Sequence, residues 1–191
     1  MKTCVFITGT NCSGKSTIAR HLQQHFGGIR EIASDTTWCN DSRACFAGIY
    51  HDGRKHGGVD ALNKTSTLAD IVTRGLQKAD VIFCEGSYFD TFGMNLLNAM
   101  FNAQSFLYVF LYCDGETLMR RHQERLLAGN RTGWGKNSPT DVLRGMLNKQ
   151  KRTARSAKKW QSIGVPVICI DTSLTTPDEA TAKILERLRI L

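Results

Sequence analysis

The sequence lacks several features that would place it in other classes of protein. No apolar run approaches the roughly 18 residues that a transmembrane helix needs. The seven cysteines include no C-x-x-C pair and are odd in number, so neither a disulfide framework nor a zinc site is expected. The first three residues lead directly into an apolar run, which leaves no room for a signal peptide. We therefore expect a cytoplasmic protein that does not contact a membrane.

Internal repeats, linkers and low-complexity tracts are also absent. A chain of 191 residues is long enough to bury a full core in one unit. We therefore expect a single domain that spans residues 1–191.

A phosphate-binding motif, G-x-x-x-x-G-K-[ST], lies near the start of the chain at residues 9–16. The apolar run at 4–7 predicts a buried strand before it, and Ile18, Leu22 and Phe26 mark the buried stripe of a helix after it. In this context backbone N–H groups and a helix N-terminus bind phosphates, and the motif's lysine and hydroxyl residue serve the terminal phosphates and Mg²⁺. The predicted ATP-binding residues are Gly9, Thr10, Asn11, Cys12, Ser13, Gly14, Lys15, Ser16 and Thr17, with Lys15 also catalytic and Ser16 also a metal ligand.

Apolar runs and helical periodicities alternate along the rest of the chain. Residues 38–64 show no clear periodicity and are expected to form a loop or short helices. Strands that alternate with helices imply a parallel sheet covered on both faces, which is a three-layer α/β fold. We predict five strands, at about 3–8, 29–33, 80–86, 106–112 and 165–170.

The residues that follow the predicted strands are the candidates for chemistry, because ligands bind at the carboxyl ends of such strands. Asp35 is expected to accept the proton of an acceptor hydroxyl, with a helix N-cap as the alternative. Glu85 ends an apolar strand, where an acid must coordinate, pair or be solvated. We expect it to serve Mg²⁺ or the acceptor, with a structural ion pair as the alternative. Asp114 is expected to cap the helix that begins near Glu116.

A glycine-rich basic lid is predicted at about 116–137. Arg121 and Arg125 are four residues apart and share one face of the predicted helix, and Arg131 lies in the glycine-rich loop. Arginines stabilise the charge on a transferring phosphoryl group. We therefore predict that Arg121 and Arg125 are catalytic and that Arg131 binds ATP, with a solvated basic face as the alternative.

Acidic residues are scarce between Arg120 and Lys159. This segment has twelve Lys and Arg against two acids, so its formal net charge is +10, whereas the whole chain carries +8. Twelve cations are more than a triphosphate needs. Part of the segment is therefore expected to bind a polyanion.

Several segments together resemble small P-loop kinases of the nucleoside- and nucleotide-kinase type: 9–16, 34–36, 81–86, the Arg121/Arg125 pair, 170–173 and 176–179. The resemblance implies a five-stranded parallel sheet ordered 2-3-1-4-5, with ATP and Mg²⁺ as cofactors. It also implies that Asp35 is the acceptor base, that Glu85 contacts acceptor or metal, and that Asp171 and Thr172 lie near the adenine.

The acceptor suggested by resemblance is a DNA base. The Asp-Arg-Tyr/His and Glu-Arg-Ser signatures of deoxynucleoside and thymidylate kinases are absent, whereas residues 84–93 are similar to phage 5-hydroxymethyluracil DNA kinases. Such enzymes phosphorylate the base hydroxymethyl group on the way to a hypermodified thymine, which implies a DNA partner and a bacteriophage setting. A flipped base needs aromatic groups to hold it. The candidates are Trp134 and, with burial in the core as the alternative, Trp38, Tyr88, Phe89 and Phe92. The candidate backbone-binding residues are Lys149, Lys151, Arg152, Arg155, Lys158 and Lys159.

Two alternatives to a DNA kinase stay open. The first is a kinase for a free nucleoside, nucleotide or other small metabolite. The second is a nucleotide-dependent switch, which is disfavoured because residues 63–66 lack the final aspartate of N-K-x-D and Asp90 follows strand three too late to serve its metal.

Overall fold

A computed structural model describes residues 1–33, 35–50, 58–62, 67–87, 94–129 and 138–190. In chain order, its elements are β1 Thr3–Gly9, α1 Lys15–His25, β2 Ile29–Ala33, β3 Thr36–Cys39, β4 Ala44–Ala47, a 3-10 helix Gly58–Ala61, α2 Leu68–Lys78, β5 Val81–Glu85, α3 Met94–Phe101, β6 Ser105–Tyr112, α4 Gly115–Leu127, α5 Pro139–Ser162, β7 Val167–Asp171 and α6 Pro177–Ile190.

The described residues form one mixed sheet of seven strands, in the order β2-β3-β4-β5-β1-β6-β7. The five strands from β4 to β7 in this order pair in parallel, whereas β3 is antiparallel to both β2 and β4. The predicted five-stranded parallel sheet, with its order 2-3-1-4-5, is therefore wrong. The strand beside β5 is β4, which lies in the stretch predicted to be a loop or short helices.

The two missed strands are too short to be found by periodicity. Both β3 and β4 have four residues, which is the lower limit of the length over which alternation is recognised. All four residues of β4 are buried, so β4 also shows no polar face. A consequence for the site is that β3 and β4 separate the predicted second strand, β2, from β5.

Helices cover both faces of the sheet, as the sequence predicts. Alternate residues of β1 point to opposite faces, with Phe6 packed among residues of α2 and α5 and Ile7 among residues of α1 and α6. Both side chains are fully buried. Burial of a side chain of this size stabilises the fold by about 1.5–3 kcal/mol. This packing fixes β1, and with it the start of the phosphate-binding loop.

Helices α4 and α5 pack against each other at the carboxyl edge of the sheet. Leu118 of α4 lies in one buried cluster with Val142 and Met146 of α5. The Asp114 carboxylate accepts the Thr117 N–H at 2.6 Å, which confirms that Asp114 caps α4. None of the described helices, including the 24-residue α5, is apolar enough over sufficient length to cross a membrane.

Candidate active site

The loop between β1 and α1 has a backbone that depends on glycine. A Cβ atom at Gly9 would overlap the carbonyl oxygen of Leu111 and the hydroxyl of Ser13. Gly14 has φ = 88°, in the left-handed region that favours glycine. Cys12 also has a positive φ, of 65°, which is uncommon for a residue with a side chain. The loop is thus bent tightly over the end of β1.

The N-terminus of α1 is built to accept an anion. The helices α2, α4 and α5 are capped by the side chains of Thr67, Asp114 and Ser138, whereas Gly14 offers α1 no capping side chain and the first turn of α1 has no acid. The first N–H groups of α1 and the positive end of its dipole are therefore available to an anion bound in the loop. Among the described residues, the buried hydroxyls of Thr10 and Ser13 also have no hydrogen-bond partner. A phosphate group fits this arrangement.

Lys15 is buried beneath the loop. Its Nζ donates to the carbonyl oxygens of Gly9 at 3.1 Å and of Thr10 at 3.0 Å. Burial lowers the pKa of Lys15, while the carboxylates of Glu85 and Asp60 act in the opposite direction. The ammonium group therefore lies close to the phosphate-binding loop and to two acids.

Glu85 and Ser16, the two predicted metal ligands, are in direct contact. The Ser16 hydroxyl donates to Glu85 Oε1 at 3.3 Å, and the Tyr50 hydroxyl donates to Oε2 at 3.3 Å. Glu85 is only 3% exposed. Burial raises its pKa, although Lys15 lowers it, and the nearby Asp60 raises it further. A hydroxyl and a carboxylate oxygen at this position fit a hard cation such as Mg²⁺.

Asp60 and Tyr50 are site residues that the sequence analysis missed. The Asp60 carboxylate accepts the Ser87 N–H at 3.0 and 3.1 Å, just past the end of β5. Close packing explains its position, because a Cβ atom at Gly58 would overlap Glu85 and one at Gly86 would overlap Val59. The glycine pair before Val59 is the one local signal in the sequence.

Asp35 lies in the turn between β2 and β3, because its neighbours Ala33 and Thr36 pair across that turn. Its Oδ2 is 2.6 Å from Nη2 of Arg74 on α2, and its Oδ1 accepts the Thr36 hydroxyl at 3.1 Å. A strand follows Asp35, so the helix N-cap alternative is wrong. The described contacts of its carboxylate do not include Ser16 or Glu85, and its role as acceptor base stays a prediction.

Arg121 joins the phosphate-binding loop to the end of β7. Its guanidinium donates to the Thr172 hydroxyl at 3.0 Å, to the Thr172 carbonyl at 2.7 Å and to the Cys12 carbonyl at 3.2 Å. Burial raises the pKa of Cys12, and the charge of Arg125 is the largest of the effects that oppose this increase. Both predicted lid arginines of α4 therefore lie beside the loop.

A pocket of about 370 Å³ opens beside the loop. It is bounded by Gly14 and Thr17, by Arg121 and Arg125, and by Thr172 at the end of β7. The Asp171 carboxylate accepts two hydrogen bonds from Ser173, one from its N–H at 2.9 Å and one from its hydroxyl. Binding of a nucleotide base by Asp171 and Thr172 stays a prediction.

Residues 5–141 match a family model described as an AAA domain. The chain belongs to this AAA domain family. Solved structures similar to this AAA domain include the YorR protein from Bacillus subtilis in complex with phosphorylated GDP, with 15% identity, a TM-score of 0.55 and coverage of 98% of this chain and 96% of that one. No curated protein is significantly similar to the sequence.

Two kinases have a similar structure to this AAA domain. Shikimate kinase from Acinetobacter baumannii, in complex with shikimate, has 17% identity, a TM-score of 0.54 and coverage of 98% of this chain and 93% of that one. A sugar kinase from Janibacter sp. has 15% identity, a TM-score of 0.53 and coverage of 100% and 96%. The AAA domain therefore has the fold of P-loop kinases.

Some predicted site residues of this AAA domain lie outside the described residues. They are Arg131 of the lid and the candidate aromatic groups Tyr88, Phe89, Phe92 and Trp134. The candidate backbone-binding residues of α5 are described, and five of these six are exposed: Lys151, Arg152, Arg155, Lys158 and Lys159.

Proposed function

We propose that this AAA domain is a kinase that transfers the γ-phosphate of ATP to an alcohol. The observation that carries this proposal is the contact between Ser16 and the buried Glu85, beside Lys15 and an α1 N-terminus that no side chain caps. A phosphate-binding loop and a carboxylate that meets it are the parts that phosphoryl transfer requires. The likeness of the fold to shikimate and sugar kinases supports the same reaction class.

Each part of the site has a task in the proposed transfer. The N–H groups of the loop and the Lys15 ammonium would bind the β- and γ-phosphates, and Arg121 and Arg125 would stabilise negative charge on the side of α4. Mg²⁺ bound by Ser16 and Glu85 would neutralise charge on the same phosphates. Arg121 would also hold the loop in place through its bond to the Cys12 carbonyl.

The acceptor that we propose is the base hydroxymethyl group of 5-hydroxymethyl-2'-deoxyuridine in DNA. Support comes from the resemblance of residues 84–93 to phage 5-hydroxymethyluracil DNA kinases and from the basic face of α5. Burial has the largest effect on the pKa of Lys15 and lowers it, Glu85 raises it, and the charge of Lys149 lowers it further. The basic face of α5 therefore begins near the phosphate site. The ten helical steps from Lys149 to Lys159 extend this face by about 15 Å.

Transfer of labelled γ-phosphate to a panel of acceptors tests the proposal. The panel holds free nucleosides, nucleotides, plain DNA, and DNA that carries 5-hydroxymethyluracil. Label on the modified DNA alone is the expected result, and label on a free nucleoside or nucleotide would replace DNA by a small acceptor. ATP hydrolysis that no acceptor accelerates would contradict the kinase proposal and favour a nucleotide-dependent switch.

A further inference from the structure

Two carboxylates lie near Lys15 in the described part of the chain, and they differ in how accessible they are. Both Glu85 and Asp60 act on the Lys15 ammonium, against the larger effect of burial. Glu85 is 3% exposed, and its two oxygens accept hydrogen bonds from Ser16 and Tyr50. Asp60 is exposed. Of the two, Asp60 is therefore the carboxylate that is open to an acceptor arriving from solvent.

The Asp60 carboxylate is held in place by backbone. Both of its oxygens accept the same N–H group, that of Ser87, at 3.0 and 3.1 Å. Its Oδ1 also lies 2.9 Å from the position that a Cβ atom of Gly86 would take. One N–H group satisfies only part of the four lone-pair sites of a carboxylate, so the remaining sites can accept a hydroxyl.

The position of Asp60 is suited to an acceptor group. Ser87 follows Glu85 by two residues, at the carboxyl end of β5, and β5 pairs with β1, which leads into the phosphate-binding loop. Ligands of parallel sheets bind at this edge. In contrast, the described contacts of the Asp35 carboxylate are an ion pair with Arg74 and a hydrogen bond from Thr36.

We propose that Asp60 is the catalytic residue that accepts the proton of the acceptor hydroxyl. This assignment rests on the proposed kinase activity. In the step, the hydroxyl proton passes to an Asp60 oxygen and a lone pair of the acceptor oxygen forms the new bond to the γ-phosphorus. The bond between that phosphorus and the β,γ-bridging oxygen breaks, and its electron pair leaves with ADP. Asp60 then releases its proton to water.

The test compares Asp60→Asn with wild type on the acceptor that the panel identifies. We expect kcat for transfer to fall about 10²–10⁴-fold, the usual loss for a general base. Binding of ATP, measured by equilibrium titration, should change little. The melting temperature should be retained, because asparagine keeps an oxygen that accepts the Ser87 N–H. Asp80→Asn is a matched control, since Asp80 pairs with Lys2 at the opposite end of β5.

A second variant separates catalysis from support of the backbone at Ser87. Asp60→Glu restores a carboxylate at a displaced position, so it should recover part of kcat without changing ATP affinity. If Asp60→Asn unfolds, the folded Asp60→Glu variant decides alone. A kcat within twofold of wild type would then count against Asp60 as a precisely placed base. A drop in kcat of tenfold or more would support Asp60 as the base.

Failure of the inference and failure of the proposed function give different results. If the wild-type protein transfers phosphate and folded Asp60→Asn keeps more than a tenth of its kcat, the inference is wrong and the kinase proposal stands. If the wild-type protein transfers phosphate to no acceptor, both are wrong. Asp35→Asn is measured in parallel, and a large kcat loss confined to that variant would assign the base to Asp35 instead.

Discussion

At the scale of single residues, Lys15 and Glu85 combine charge with burial. Lys15 donates to two carbonyl oxygens of its own loop, and Glu85 accepts from two hydroxyls. Burial lowers the pKa of the lysine and raises that of the glutamate, so in both cases it disfavours the charged form. Charges kept in such a place are expected to serve a ligand rather than stability.

Lys15→Ala should abolish transfer and leave the fold intact. The variant removes the cation that would meet the β- and γ-phosphates, which costs on the order of 10²–10³-fold or more in kcat. The melting temperature should be nearly retained, because relief from burying the charge offsets the loss of the two hydrogen bonds from Lys15 to the loop. Transfer assays and thermal melts check this, with Lys183→Ala on the exposed face of α6 as control. Full activity in Lys15→Ala would exclude the phosphate-binding role of the loop.

Glu85→Gln should change how stability depends on pH in the metal-free protein. The folded state raises the pKa of Glu85, so the folded state binds its proton more tightly than the unfolded chain does. The stability from this group is complete below the unfolded pKa and is lost as pH rises through the folded pKa. Lys15 and Asp60 also act on the pKa of this carboxyl group. Both residues are present in wild type and in the variant, so the comparison isolates the Glu85 carboxyl group.

We therefore expect Glu85→Gln and wild type to melt at similar temperatures near pH 4, and the variant to melt higher at pH 7. Thermal melts across this range in the presence of a chelator check the prediction. A wild-type advantage that grows with pH would contradict it. With Mg²⁺ and ATP added, the variant should show little transfer, because it lacks one of the two predicted metal ligands.

At the scale of elements, α5 has two different faces. Val142, Met146 and Trp160 are buried, and Trp160 packs beside Phe106 and Tyr108 of β6. The opposite side presents exposed Lys and Arg side chains. The buried face fixes the helix on the sheet, so the basic face keeps a constant position relative to the phosphate site.

Neutralising three exposed residues of α5, Lys151, Arg155 and Lys158, should weaken binding of DNA and flatten its dependence on salt. The slope of log K against log salt is negative, and each phosphate contact that is lost reduces its magnitude by about 0.9 for duplex DNA and about 0.7 for single strands. Binding titrations at several salt concentrations check this. An unchanged slope would exclude this face as the DNA surface. Lys183 and Arg187 on α6 provide a control pair on another helix.

At the scale of the whole molecule, the sheet brings distant parts of the chain to one edge. The loop after β1, the end of β5 and the end of β7 all lie at the carboxyl edge of the parallel strands. Arg121 connects two of these parts through its bonds to Cys12 and Thr172. A ligand bound between them would therefore stabilise the fold as a whole.

ATP with Mg²⁺ should raise the melting temperature. A ligand present at 100 times its Kd adds about 2.7 kcal/mol to the free energy of unfolding. For a chain of this size each kcal/mol corresponds to about 2–4 °C, so a rise of roughly 5–11 °C is expected. Thermal melts with and without ATP check this, and Lys15→Ala should reduce the shift. No shift at millimolar ATP would contradict nucleotide binding.

The sequence alone determined those parts of the site that are continuous in the chain. The loop and α1 follow from glycine spacing and helical periodicity, and Glu85 and Asp114 were found because each lies directly at the end of a strand or the start of a helix. Tertiary structure decided the rest. Four-residue strands carry little pattern to detect, and the strand that precedes Asp35, β2, is separated from β5 by β3 and β4. Contacts such as Tyr50 with Glu85, 35 residues apart, and Asp60 with Ser87, 27 apart, arise only when the sheet aligns distant segments.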